Sequence, residues 1–117
     1  MAGWAGGYCL SPDIRVERDG FELFSKGRSS AFVRWMEIKE IDAYKVDAVS
    51  YDLLCVSFRY RSGDKDLFVE VHEEAAGYRE LMCAVETRFP VKQNWWREAV
   101  FGDRPEAVVV WRADVNE

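Results

Sequence analysis

The chain of 117 residues has little histidine and no closely spaced cysteines. His72 is the only histidine, and Ala76 stands where the zinc-protease pattern would need a second one. Cys9, Cys55 and Cys83 are widely spaced and form no Cys-x-x-Cys pair, which is typical of free thiols in a reducing compartment. A pairing of His72 with Cys55 or Cys83 is the catalytic arrangement that the sequence leaves open.

The chain also lacks a basic run and a long apolar run. It carries 16 basic and 21 acidic residues, for a formal charge of −5, and ten of the acidic residues lie between positions 36 and 74. Nucleic-acid binding and attachment to anionic membranes are therefore disfavoured, whereas a basic partner would be attracted. Neither a membrane-spanning stretch nor a signal peptide is recognisable, so we expect a cytoplasmic protein.

Alternating apolar residues predict a series of β-strands. Ile14–Val16 and Phe21–Leu23 flank Asp19–Gly20, a pair typical of a tight turn with positive φ angles. Further strands are expected over residues 31–35, 41–46, 53–60, 67–71 and 107–112. Helical spacing follows at Tyr78, Leu81, Met82, Val85 and Phe89, with Glu73 and Glu74 at the helix start and Pro90 at its end.

These elements predict a single domain over residues 1–117 with a mainly β, α+β fold. We expect one antiparallel, strongly bent sheet or partial barrel of about six to seven strands, with one main helix after the sixth strand. Residues 1–12 are expected to be a flexible N-terminus, and residues 91–117 a C-terminal extension that packs on the barrel.

The acidic stretch around residues 37–52 is predicted to be structural. Trp35, Ile38 and Ile41 recur every three residues, which indicates a helical turn near residues 36–39 whose apolar side chains are buried. Its carboxylates lack the compact rhythm of a calcium loop, so no metal site is expected. We expect the charged neighbours to be solvated, namely Glu37, Glu40 and Asp42.

The order of these motifs resembles bacterial pleckstrin-homology-like domains. The resemblance covers about residues 13–113 and rests on Trp35-x-Glu37-Ile38-x-x-Ile41, the strands 53–60 and 67–71, the segment 73–78 and the Phe89-Pro90 stop. The closing VVVW-Arg strand looks like that of a group of small uncharacterised bacterial proteins. The resemblance implies a binding module rather than an enzyme, and small acidic bacterial proteins of this size include immunity proteins.

Aromatic residues are the candidate binding residues. Trp95 and Trp96 are adjacent, so a helix directs only one of them readily into the core and the other is available as an anchor. The alternative, which is the more common use of such a residue, is that a tryptophan covers the open end of the barrel. The expected contact surface comprises Trp95, Trp96, Tyr44, Asp47, Tyr51 and Asp52.

The functional prediction is a non-catalytic, cytoplasmic protein-interaction or immunity-type protein that binds another protein and uses no cofactor. The alternative is a protein that binds a small apolar ligand or lipid in the barrel mouth, and an enzyme comes third. The sequence leaves a homodimer open.

Overall fold

The computed structural model describes residues 12–47, 52–92, 94–101 and 107–113, and at Asp47, Asp52, Glu98 and Phe101 the backbone alone. A 3-10 turn at Trp35–Glu37 lies between the third and fourth strands. The other elements are β1 (Asp13–Val16), β2 (Gly20–Ser25), β3 (Arg28–Arg34), β4 (Ile38–Asp47), β5 (Asp52–Ser62), β6 (Lys65–His72), α1 (Tyr78–Arg88), α2 (Trp95–Phe101) and β7 (Val108–Arg112).

The strands form two antiparallel sheets. One sheet has the order β1-β2-β3 and the other the order β6-β5-β4-β7. The mainly β, antiparallel architecture with one main helix is therefore confirmed. The expected single bent sheet is instead two sheets, because the 3-10 turn separates β3 from β4, and the described strands do not close into a barrel.

The turns of the first sheet show two different uses of glycine. Lys26 and Gly27 have φ angles of 54° and 78°, as a tight hairpin turn requires. The positive φ predicted at Asp19–Gly20 is wrong, since neither residue lies in the left-handed region. Gly20 is needed for a different reason: a Cβ atom there would lie 2.0 Å from the carbonyl oxygen of Val33.

One core joins both sheets and both helices. Phe21 of the first sheet and Phe58 of the second are fully buried, and their ring centroids are 4.9 Å apart. The stripe predicted on α1 is confirmed at Leu81, Met82 and Val85, all of which are buried. Trp95, Ala99 and Val110 add the C-terminal segment to this core.

A β-bulge at the start of β4 explains the three-residue apolar spacing. Ile38 pairs with Tyr60 and Glu40 pairs with Arg59, so Lys39 is an extra residue without a partner on β5. The extra residue changes the alternation of side chains, and Ile38 and Ile41 therefore both point into the core. The burial predicted for these two residues is confirmed, whereas Trp35 is half-buried.

The same bulge overturns part of the expectation for the carboxylates. Glu40, expected to be solvated, is 7% exposed, and one carboxylate oxygen of Asp42 is buried. Solvation was the wrong prediction because Glu40 lies between Arg59 of β5 and Arg112 of β7, and Asp42 lies beside Glu40 on the same face of the sheet.

Cys55 is buried and Cys83 is exposed, and both are free thiols, as the sequence predicted. Cys9 lies outside the described residues. Within the described ranges, no helix has the length and apolar character needed to cross a bilayer.

Candidate functional site

A groove runs between α1 and α2 across the Leu54 end of β5. On α1, Tyr78, Met82 and Glu86 follow each other at intervals of four residues and therefore form one ridge along the helix. Leu81 and Val85 pack into the core, and Met82 of the ridge belongs both to the core and to the wall of the groove. The groove holds a cavity of about 400 Å³.

The opposite wall of the groove is α2, where the two tryptophans separate. Trp95 and Ala99 are buried at an interval of four residues, with exposed fractions of 3% and 6%. Trp96 and Val100 form the next stripe and line the groove. Trp96 is 39% exposed, so it is the tryptophan that is available at the surface.

Two carboxylates are fixed at the rim of the groove. The backbone N–H of Leu54 donates to Oε2 of Glu73 at 2.8 Å, and the backbone N–H of Glu73 donates to the Leu54 carbonyl at 2.9 Å. Glu86 accepts a hydrogen bond from Nε1 of Trp95 at 3.3 Å. Each carboxylate is thus held by a neighbour that also lines the cavity.

The electrostatic effect of these carboxylates is visible at Tyr78. Burial is the largest cause that raises the pKa of its hydroxyl, and the negative charge of Glu73 adds to it, with smaller effects from Cys55 and Glu86. A second cavity of about 430 Å³ adjoins the first and shares Glu73, Tyr78, Met82 and Glu86 with it. The groove is therefore aromatic, apolar and negatively charged.

The other predicted site residues lie apart from the two tryptophans. Lys45 donates from Nζ to the carbonyl of Val100 on α2 at 3.2 Å. Because adjacent strand residues point to opposite faces, Tyr44 lies on the other face of the sheet, where its hydroxyl donates to Glu70. The backbones of Asp47 and Asp52 pair across the β4–β5 hairpin.

Tyr51 and residues 48–50, which join β4 to β5, lie outside the described residues. The structure thus brings Trp95 and Trp96 together and does not bring Tyr44 to them. Binding roles for Tyr44, Asp47, Tyr51 and Asp52 remain predictions.

The outer face of the four-stranded sheet carries a second charged cluster, centred on Glu40. Arg59 Nη2 of β5 donates to Oε1 of Glu40 at 2.8 Å. From β7, Arg112 donates through Nε to Oε1 at 3.2 Å and through Nη2 to Oε2 at 3.3 Å. Burial tends to raise the pKa of Glu40, but the hydrogen bonds from Arg112 and Asp42 and the charge of Arg59 outweigh it and lower this pKa overall.

Asp42 lies beside this cluster and behaves in the opposite way. Burial, followed by the hydrogen bond and charge of Glu40, raises its pKa from 3.8 to about 6. Its Oδ1 atom is buried without a hydrogen-bond partner. The folded protein therefore holds the Asp42 proton more tightly than the unfolded chain does.

We expect Asp42→Asn to stabilise the protein at neutral pH and to have little effect near pH 4. A raised pKa in the folded state gives stability at low pH that is lost as the pH rises through the interval from 3.8 to about 6. The asparagine stays neutral, so above pH 6 the free energy of unfolding of the variant should exceed that of the wild type by about 1–2 kcal/mol, after allowance for solvent screening. Urea unfolding at about pH 4 and pH 7 measures the difference. An equal difference in stability between variant and wild type at both pH values would refute the raised pKa of Asp42 in the folded protein.

Cys55 and His72 are opposite each other on β5 and β6. Burial, followed by the charges of Glu70 and Glu73, raises the pKa of the Cys55 thiol to about 11. The thiolate needed for nucleophilic attack is therefore scarce at neutral pH. Among the residues that the structure describes, no three His, Cys, Asp or Glu side chains are grouped to hold a metal ion.

Comparisons of the chain with protein-family models, with curated proteins and with solved structures gave no significant match.

The acidic members of the groove, Glu73 and Glu86, are not among the residues predicted to bind. The sequence predicts Glu73 at the start of the main helix, but α1 begins at Tyr78 and Glu73 instead extends the pairing of β6 with β5. Glu86 could have been found from its interval of eight residues to Tyr78 on the same helix.

Proposed function

We propose that this protein is a non-catalytic module that binds another protein through the groove between α1 and α2. The observation that carries the proposal is the separation of the adjacent tryptophans, with Trp95 in the core and Trp96 at the rim of a cavity. Partly exposed tryptophans beside a pocket are favoured anchors of protein interfaces. The raised pKa of the Cys55 thiol further disfavours the cysteine–histidine pair as a catalytic site.

The pleckstrin-homology-like relationship and an immunity-type role belong to the same proposal. Two antiparallel sheets followed by a main helix, together with an excess of acidic residues, are compatible with both. A small cytoplasmic inhibitor that covers a basic surface of its target is the specific form we favour.

A small apolar ligand in the same groove is the second candidate. Leu54, Met82 and Val100 give the cavity an apolar lining, and its volume of about 400 Å³ is within the range of small-molecule pockets. Such a ligand would occupy the cavity alone, whereas a protein partner would also cover the exposed part of Trp96.

The test compares Trp96→Ala with Val109→Ala. Val109 is 43% exposed on β7, and it therefore provides a surface apolar residue of similar exposure outside the groove. Tagged wild-type and variant proteins are used to capture partners from cells of the source organism, and each partner found is purified for measurement of its affinity. Trp96→Ala is expected to weaken binding by about thirtyfold or more, and Val109→Ala less than about threefold.

Thermal unfolding of both variants shows whether they remain folded. A partner that binds Trp96→Ala as tightly as the wild type would place the interface elsewhere. The second candidate would be favoured if no protein is captured and a small molecule copurifies with the wild type but not with Trp96→Ala.

A further inference from the structure

The groove combines aromatic rings and carboxylates, and this combination suits a basic side chain. Glu73 and Glu86 line the cavity of about 400 Å³ together with Tyr78, Trp95 and Trp96, and its described lining contains no lysine or arginine. A cation there meets ring faces and opposite charges at once, and both attract an ammonium or a guanidinium group.

The positions of the carboxylates are fixed before any partner arrives. Glu73 is bonded to the backbone of Leu54, and Glu86 accepts from the Trp95 indole. A preorganised acceptor loses little side-chain entropy on binding. The guanidinium of Arg97 lies 5.6 Å from the centroid of the Trp96 ring, so this ring already lies close to one cation. Arg97 itself does not line the cavity.

The length of the groove favours a peptide segment over a free small cation. The ridge from Tyr78 to Glu86 spans eight helical steps, or about 12 Å. This distance corresponds to about three to four residues of extended chain. The second cavity continues the groove along α1, where it is also lined by Arg79 and Glu80, whose opposite charges balance. The net negative charge of the groove therefore comes from Glu73 and Glu86.

We propose that the groove recognises a lysine or arginine side chain on an extended segment of the partner protein. The basic head would lie between Glu73 and Glu86, with its aliphatic stem against Trp96 and Met82. This inference rests on the proposed function, because it names the chemistry of the partner at the same site.

The experiment selects binders for the wild-type protein from a random peptide library displayed on phage. Affinities of the selected synthetic peptides are then measured by fluorescence anisotropy for the wild type and three variants. The test variant is Glu73→Gln/Glu86→Gln, which removes two charges but retains oxygen acceptors for Leu54 and Trp95. Trp96→Ala tests whether the peptides bind in the groove. Asp64→Asn, in the exposed β5–β6 turn, is the control for the loss of an acidic charge.

The expected result is that selected peptides share a lysine or arginine whose replacement by norleucine abolishes binding. The double variant should bind them at least about tenfold more weakly, with Asp64→Asn within about twofold of the wild type. Binding should also weaken as salt rises. Melting temperatures confirm that each variant is folded.

Two other results would overturn the inference in different ways. Peptides that lack a shared basic residue, but lose affinity with Trp96→Ala, would leave the proposed function intact and refute the basic partner. If no selected peptide depends on Trp96, both the basic partner and the proposed interface are wrong.

Discussion

Replacement of Trp95 by alanine is expected to lower the free energy of unfolding by about 3–5 kcal/mol, because a large side chain leaves a cavity in the core. Trp95 is 3% exposed, lies in the main core and donates its indole N–H to Glu86. A loss of this size is a large share of the stability of a small domain. Urea unfolding of the variant, followed by circular dichroism, measures it.

The neighbouring residue supplies the matched control. Trp96→Ala removes the same side chain from a position that is 39% exposed, and it should cost no more than about 1 kcal/mol. Trp95→Ala should therefore lower stability, whereas Trp96→Ala should lower the affinity for the partner. Equal destabilisation by both would mean that Trp96 is a packing residue and that the anchor must be sought elsewhere.

Replacement of Glu40 by alanine is expected to cost about 2–3 kcal/mol, since it breaks charge-assisted hydrogen bonds that join three strands. The cost is at the lower end for a buried carboxylate because the side chains of Arg59 and Arg112 are 57% and 54% exposed and can be rehydrated. Chemical unfolding at neutral pH gives the value. Because the pKa of Glu40 is lowered, its stabilising effect is present above its unfolded pKa and is lost as the pH falls.

The exposed ion pair of the same sheet is the control for Glu40. Nη1 of Arg61 lies 3.1 Å from Oδ1 of Asp66, and the side chains are 47% and 68% exposed. Asp66→Ala should therefore change stability by less than about 1 kcal/mol. A cost for Glu40→Ala no greater than that for Asp66→Ala would show that burial of the carboxylate contributes nothing.

The elements that sequence could predict are those whose signal is local. On β5, the alternation of Leu54, Val56, Phe58 and Tyr60 marks the buried face, and all four are buried. The helical stripe of α1 and its end before Pro90 are equally local signals. In each case the spacing within one segment determines which side chains reach the core.

The features that sequence could not predict depend on contacts between distant segments. Glu40 is buried because a bulge at Lys39 turns it toward Arg59 and because β7 brings Arg112, which is 72 residues away along the chain. Glu73 is held by the backbone of Leu54, 19 residues earlier. No periodicity in a single segment contains this information, whereas the location of Tyr44 on the face opposite α2 follows from simple alternation along β4.

The return of β7 to β4 has a consequence for the order of folding. The β1–β2, β2–β3, β4–β5 and β5–β6 hairpins join neighbouring segments, but β7 must close a far longer loop before it pairs with β4. We therefore expect β7 to dock after the rate-limiting barrier, so that weakening it speeds unfolding and leaves the folding rate nearly unchanged. Until that docking, the backbone of β4 is an unpaired edge with only one arginine on Glu40, and the partly folded chain is open to strand pairing with another molecule.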